Sequence, residues 1–414
     1  MSLQDDRRSE PLDMSKFHPL FQDTGLVRPA MEWSVRTIPA FRAPDHGSAK
    51  SVLIVSSLGF LPSKLERVLR ARDKIQVNDL RLALNHLFTP NAVHPAQIGS
   101  FMTALHVERI ERRPESLAAA ADILRQRAVK ARVEHYETDF IVDIVGTGGD
   151  GHNTFNVSTT AAIVAAGAGA RVIKHGSRAS TSSTGSADLL QSMGCIFTAP
   201  SASTVDIPIP RRPFTFILAP HYHPALALLA PYRKLLPFRT MFNVLGPLIN
   251  PANPNGMVLG VAEPELGKVF AKSLRDGGVQ RALVVCGAER LDEISCAGDT
   301  HAWELLDGVI TEKTLHPSQF GLPVHPLSAG GAPNENARTL KTLLTSGDAI
   351  PAELKPVLDF VLLNASALLV VAGLAPDYVA GVELAMNSIV NGKAWEALQI
   401  FREAGEVLAE KEQP

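Results

Sequence analysis

Cysteine, aromatic residues and a surplus of either charge are all scarce in this chain, and each scarcity narrows what it can be. Its three cysteines, Cys195, Cys286 and Cys296, are odd in number and lack metal-ligand spacing. They exclude a disulfide framework and a cysteine metal site, and they fit a reducing compartment. With 40 basic against 42 acidic residues the formal charge is −2, which offers no polyanion-binding footprint, so nucleic acid is not an expected partner. Aromatic residues are 6% and apolar residues 45% of the 414, enough to bury the cores of two domains. No apolar run reads as long enough to span a membrane; the best candidate, residues 51–62, is short and bracketed by Lys50 and Lys64. The first residues include Asp5, Asp6 and Glu10 without an early apolar core. A secretory signal is therefore not expected, and the protein reads as cytoplasmic with no membrane partner.

What is present is concentrated first between Asp143 and Thr160. Asp143-Ile144-Val145 reads as a buried strand, Gly146-Thr147-Gly148-Gly149-Asp150-Gly151 as a glycine loop, and Asn156-Val157-Ser158-Thr159-Thr160 as a helix start. That order builds an anion site, because glycines admit a phosphate close to backbone N–H groups and the helix end adds unpaired donors. Asp150 is unusual there. A carboxylate facing a pyrophosphate is repulsive unless a divalent cation or a ribose hydroxyl lies between them, which suggests a sugar phosphate handled with metal. No lysine follows Gly151 as a P-loop requires. Gly146-x-Gly148-x-x-Gly151 does satisfy the dinucleotide pattern, but the acidic residue expected about 20 positions on is absent. Arg171, Lys174 and Arg178 stand there instead, so an NADP-dependent oxidoreductase stays open as a rival, as does a non-catalytic phosphate-binding protein.

A second cluster spans residues 174–188 and is dense in hydroxyls, glycines and cationic side chains. Residues 161–170 read as a small-residue helix and Arg171-Val172-Ile173 as a strand, so the cluster falls at a strand's carboxyl end, where open parallel sheets place ligands. A third group, Asp292-Glu293, follows the apolar strand of residues 282–287. Magnesium commonly takes only one or two carboxylates plus substrate oxygens, so this pair is chemically sufficient.

Around these motifs the chain divides. Residues 1–74 are polar and proline-bearing, and read as an N-terminal extension that is a candidate for disorder. Apolar residues from Val77 to Ala131 recur at near-helical spacing, predicting a small helical domain over 75–135. A helix near residues 223–236 is expected to cross back and complete it, with the helices near 222–247. Residues 138–221 and 248–414 alternate apolar strands with helices, predicting an α/β domain that is discontinuous in sequence. Asn334-Glu335-Asn336-Ala337-Arg338 reads as a helix cap with a solvated face.

Taken together, the run Gly146 to Thr159, Lys174-His175-Gly176, the segment Arg239-Thr240-Met241-Phe242-Asn243-Val244-Leu245-Gly246-Pro247-Leu248-Ile249-Asn250-Pro251 and Asp292-Glu293-Ile294-Ser295 resemble the anthranilate phosphoribosyltransferase family of tryptophan biosynthesis. The likeness extends from about Ile75 to Ala404. It implies a small helical domain and a larger α/β domain with a central, mostly parallel sheet covered by helices, and a site in the cleft between them. It also implies Mg²⁺, the donor phosphoribosyl pyrophosphate, the acceptor anthranilate and a homodimer.

Residue by residue, the resemblance assigns Gly146, Gly149, Asp150, Thr154, Asn156, Val157, Ser158 and Thr159 to the donor. Lys174, His175, Gly176, Ser177, Arg178, Ala179, Ser180, Thr181 and Ser182, with Ser186, complete that pocket. Ser158, Asp292 and Glu293 match the metal positions, and Gly146, Ser177 and Arg233 the acceptor positions. Arginine suits that task, since its planar fork pairs a carboxylate while its face stacks on a ring. His175 is the candidate in the second loop for proton removal. Three departures from the family pattern bear on the acceptor side: Ser177 stands where an asparagine is common, Ser183 where a lysine is common, and Phe238 with Pro237 alters the usual Leu-Gly run before Arg239-Thr240.

Overall fold

A computed structural model describes residues 76–179, 182–201 and 204–411. The N-terminal extension lies outside the described residues, as do Ser180 and Thr181. Among the described residues three α-helices come first, α1 (Val77–Leu87), α2 (Pro95–Val107) and α3 (Pro114–Gln126). There follow β1 (Lys130–Val133), β2 (Ile141–Gly146), α4 (Val157–Gly167), β3 (Arg171–Gly176), α5 (Ser186–Ser192), β4 (Asp206–Ile209) and β5 (Phe214–Leu218). The chain continues through α6 (Ala219–Tyr222), α7 (Pro224–Leu235), α8 (Met241–Val244), β6 (Gly256–Gly260), α9 (Pro264–Asp276) and β7 (Arg281–Gly287). It ends with β8 (Thr300–Leu306), β9 (Val309–Leu315), α10 (Pro333–Thr345), α11 (Lys355–Val371), α12 (Tyr378–Val390) and α13 (Lys393–Lys411).

The principal sheet has seven strands in the order β5-β3-β2-β6-β7-β8-β9. The first five run parallel and β8 and β9 close one edge antiparallel. β1 and β4 form a separate parallel pair. The parallel strands are apolar on both faces because both faces are covered. Strand alternation sorts their side chains: Val258, Leu283 and Val285 face α4, α11, α12 and α13, whereas Met257, Leu259, Ala282 and Val284 face α9 and the N-terminal helices. Ala225 and Leu229 of α7 and Met241 and Phe242 of α8 join that second cluster beside Leu84, Phe101 and Leu105.

The expectation that no segment reaches membrane-spanning length fails at α11. With the turn before it, Ala352–Val371 is long and apolar enough to cross a bilayer by length and composition. It is a buried core helix here, with Phe360, Leu362, Leu363 and Leu368 at 2% exposure or less, and an all-round apolar helix is what a position between layers requires. Asp359, Asn364 and Ser366 interrupt its sequence and hide its length. All three are buried.

Candidate active site at the carboxyl ends of the strands

The glycine loop leaves β2 at the carboxyl edge of the sheet and enters α4, as its residues predict. One peptide anchors it. The carbonyl of Thr147 accepts from Nη2 of Arg239 at 3.0 Å, and the N–H of Gly148 donates to Oδ2 of Asp292 at 2.6 Å. The peptide is thereby held from both sides. Gly146 and Gly260, register partners on β2 and β6, are small for one reason: a Cβ on Gly146 would lie 2.2 Å from Oδ2 of Asp292, and one on Gly260 would lie 1.6 Å from its backbone oxygen. Two adjacent strands therefore make room for one acid. Gly149, at φ +73°, has left-handed backbone, and a Cβ there would lie 1.9 Å from Nη1 of Arg239.

Asp292 and Glu293 lie just beyond β7 and face Asp150. Burial, and then the neighbouring Asp150 charge, push Asp292 up to about 7. Burial and the Asp292 charge push Glu293 up to about 8, against a hydrogen bond from Ser158. Burial likewise lowers Lys174, whose ammonium faces Asp143, Glu293 and Asp292. Carboxylates crowded to this degree favour an added cation. Carboxylate and hydroxyl oxygens are hard donors, and the set Ser158, Asp292 and Glu293 fits Mg²⁺. Among the described residues no three His, Cys, Asp or Glu side chains form a ready metal cage; magnesium, which keeps waters and takes substrate oxygens, does not need one.

Around the loop, Asn156 stands at the N-cap of α4 but makes no capping bond. Its amide donates to the carbonyl of Thr184 at 2.8 Å and accepts from Asn336 at 2.9 Å. Thr159 donates to Ser186 at 2.9 Å, while Thr154 bridges to Ala329. Val157 is buried in the core.

In the second loop the predicted residues divide. Lys174 is buried at 1% exposure and donates to the carbonyl of Ile144, so it serves the acid cluster from beneath. His175 is 2% exposed. Its Nδ1 lies 3.2 Å from the carbonyl of Gly246, which can only accept, so Nδ1 carries the proton. Its Nε2 is then the acceptor, and His223 donates to it at 3.2 Å. Both nitrogens are engaged inside the protein and burial holds the ring's pKa well below the usual histidine range. The arrangement argues against the expected role in proton removal. Arg178 turns to Asp188 and Gln191 of α5, and Ala179 donates to Asp188. Gly176 is half-buried; Ser177 is exposed, its hydroxyl donating to the carbonyl of Arg178. Ser182 donates to the carbonyl of Thr184. Ser183, one of the departures, donates to Asn153 and lies 2.9 Å from the carbonyl of Gly331, lacing together the loops near 153, 183 and 331. Arg171 is buried against Asp139 and Lys174 lies beneath the acids, so of the three bases that kept an NADP reading open only the exposed Arg178, paired with Asp188, stands at the surface.

On the acceptor side, Arg233 at the end of α7 stands near Arg239. Burial and that neighbouring charge both lower it, and its buried Nε has no hydrogen-bond partner among the described residues. Two adjacent, partly desolvated guanidinium groups suit an anionic ligand. Reading the sequence missed several supports. Asn336, assigned to a solvated cap, is buried and accepts from Gly331 while donating to Asn156; only Glu335 caps, accepting from the N–H of Ala332. Asn364 of α11 brackets Ile294, accepting from its N–H at 3.0 Å and donating to its carbonyl at 3.1 Å.

Comparison with known proteins bears on this geometry. Residues 138–395 match the family model described as glycosyl transferase family, a/b domain. The anthranilate phosphoribosyltransferase of Schizosaccharomyces pombe is 45% identical over 330 residues, covering 79% of this chain and 92% of that protein. The chain belongs to the anthranilate phosphoribosyltransferase family. Its relatives include the enzyme of Deinococcus radiodurans, 43% identical over 70% of this chain and 83% of that protein. Among solved structures, the Saccharomyces cerevisiae anthranilate phosphoribosyltransferase in complex with PRPP and Mg superposes with a TM-score of 0.74 at 33% identity, covering 84% of this chain and 98% of its own. The same yeast enzyme has been solved with 4-fluoroanthranilate, and the Thermus thermophilus enzyme aligns at a TM-score of 0.72 with 34% identity, over 83% of this chain and 99% of its own. The α/β architecture with its helix-covered sheet is the one these family members share.

Proposed function

We propose that the chain transfers the phosphoribosyl group of 5-phosphoribosyl 1-pyrophosphate to the amine of anthranilate, giving N-(5-phosphoribosyl)anthranilate and pyrophosphate, as a step of tryptophan biosynthesis. The observation that carries this reading is the Thr147–Gly148 peptide, which is held by Asp292 on one side and Arg239 on the other, with Glu293 beside the acid and Arg233 beside the arginine. Gly149, Asp150, Thr154, Asn156, Ser158 and Thr159 surround the donor, with Lys174 beneath and residues 176–179 and 182–186 at its edge. Ser158, Asp292 and Glu293 would hold Mg²⁺, which when bound neutralises the pyrophosphate oxygens as they leave. The loop N–H groups and the first turn of α4 receive the remaining negative charge. Arg233 pairs the benzoate carboxylate and orients the ring beside Gly146 and Ser177. The arylamine is neutral at pH 7 and attacks C1 as the C1–O bond breaks; its proton becomes acidic once the C–N bond forms, so no strong base is needed, in keeping with the enclosed His175.

The region expected over residues 75–135 is helical only through α1 to α3, since Lys130–Val133 forms β1; these helices and those near 222–247 are read as one wall of the cleft and the α/β region as the other. The exposed apolar side chains Val107 on α2 and Leu235 on α7, at 67% and 83% exposure, favour a homodimer through the helical region. The three free, buried cysteines favour a cytoplasmic setting.

The test follows the loss of anthranilate fluorescence with phosphoribosyl pyrophosphate and Mg²⁺, beside Asp292→Asn and Arg233→Ala. Wild type should turn over only with the metal, and each variant should lose about a hundredfold in kcat/KM. Folded wild type that binds the donor but consumes no anthranilate would sink the reading.

A further inference from the structure

The departure at Pro237-Phe238 has a structural counterpart. Phe238 lies stacked on His106 of α2, ring centroids 4.2 Å apart and planes 15° from parallel. His106 Nδ1 meets Oε1 of Glu111 at 2.6 Å, and Oε2 of the same buried carboxylate accepts from the N–H of Met241 at 2.8 Å. The contacts close a ring that runs from Phe238 through His106 and Glu111 to Met241 and back along the chain. Arg239 and Thr240 are enclosed by it. Thr240 is fixed further, since its N–H and its hydroxyl both donate to Asn243 at 3.0 Å. The backbone that carries Arg239 is thus held on both sides while its side chain reaches out to the glycine loop.

We propose that the His106–Phe238 stack positions Arg239, and that Arg239 in turn positions the glycine loop for the phosphoribosyl donor. Three observations carry this. Arg239 donates to the carbonyl of Thr147, so the Gly148 N–H at the far end of that peptide is aimed at Asp292. Its guanidinium fills the space under Gly149 that a Cβ would occupy. Its charge stands among Asp292, Glu263 and Asp150, balancing acids that would otherwise repel both one another and the donor. A residue without a ring at 238 could not make this stack. The inference rests on the transfer reading for the identity of the donor.

Donor binding measured by calorimetry with Mg²⁺ and no anthranilate tests it, together with separate KM values for the two substrates. Arg239→Met should weaken donor affinity and raise donor KM about tenfold or more, with Arg239→Lys recovering part of it, since a lysine keeps charge but cannot span both contacts. Phe238→Gly and His106→Ala should each cost about threefold to tenfold in donor affinity, and the double variant no more than the larger single loss, because both break one stack. A merely structural role would lower thermal stability and leave donor affinity alone. Folded Arg239→Met or Phe238→Gly with donor affinity within about twofold of wild type would overturn the proposal. The affinities also separate it from the functional reading: wild type that binds donor but consumes no anthranilate sinks the latter only, whereas wild type that binds no donor overturns both.

Discussion

His175 and His223 touch edge-on with ring centroids 5.1 Å apart, and their burial couples folding to pH. Because the Gly246 carbonyl fixes the proton on Nδ1 of His175, the contact requires His175 neutral, since a second proton on its Nε2 would leave two donors facing each other, while a second proton on His223 would fall on its buried Nδ1. Burial lowers His223 to about 4 and His175 well below its usual value. Depressed folded pKa values mean that this contribution is fully present above about pH 6.5 and is lost as pH falls toward 4, where the unfolded chain binds protons that the fold refuses. For His223 alone the loss amounts to about 3 kcal/mol. Asp143 works the other way, pushed up to about 6 by burial, so the quantity to measure is a difference. Denaturant unfolding of wild type and His223→Gln at pH 7.5, 6 and 5 should show the variant losing less stability on acidification. Equal losses would refute the account. None of this was visible in the sequence, where His175 reads as a loop histidine and its partner lies 48 residues away.

Helix α11 shows how an element behind the site supports it. Asn364 reaches from its buried face to both backbone groups of Ile294, the residue after Glu293. Replacing it with leucine keeps the helix and its volume but strands a buried N–H and C=O, at a cost of about 1–3 kcal/mol each. The acid loop should shift as a result. Asn364→Leu is expected to remain folded with a lower melting temperature and to need about tenfold more Mg²⁺ for half-maximal turnover. An unchanged metal requirement would place the amide's role in stability alone. The sequence announced α4 and the strands well, because apolar periodicity and glycine loops are local signals. It announced the loop of residues 146–159 and the pair Asp292-Glu293 for the same reason. What it hid were pairings between distant residues: Asn364 with Ile294, Asn336 with Asn156, Arg239 with Thr147. An asparagine in an apolar helix or at a helix start carries no mark of the backbone it will meet, and polar residues inside α11 disguised a core helix as an interrupted one.

The described elements belong to one compact unit, and the sheet is what unifies them. Trp303 of β8 packs on α9, close enough that a Cβ on Gly267 would lie 2.1 Å from its ring, and it belongs to the cluster shared with the N-terminal helices. Trp395 of α13 packs against the cluster on the opposite face. Strands β6 and β7 contribute alternate side chains to both clusters, so neither face can lose its cover without exposing strands that the other face needs. Further ties cross between the N-terminal helices and the sheet region: Arg112 pairs with Glu263, Arg125 donates to the carbonyl of Leu248, and Ser273 to that of Pro114. A division into helical and α/β parts in sequence need not then be a division in stability. Unfolding followed separately through Trp303 and through Trp395, each with the other tryptophans replaced by phenylalanine, should give transitions with the same midpoint and the same denaturant dependence at matched protein concentration. A Trp303 signal that melts first would show that the helical side comes away by itself. Coincident transitions would show that the helical side and the sheet unfold as one unit.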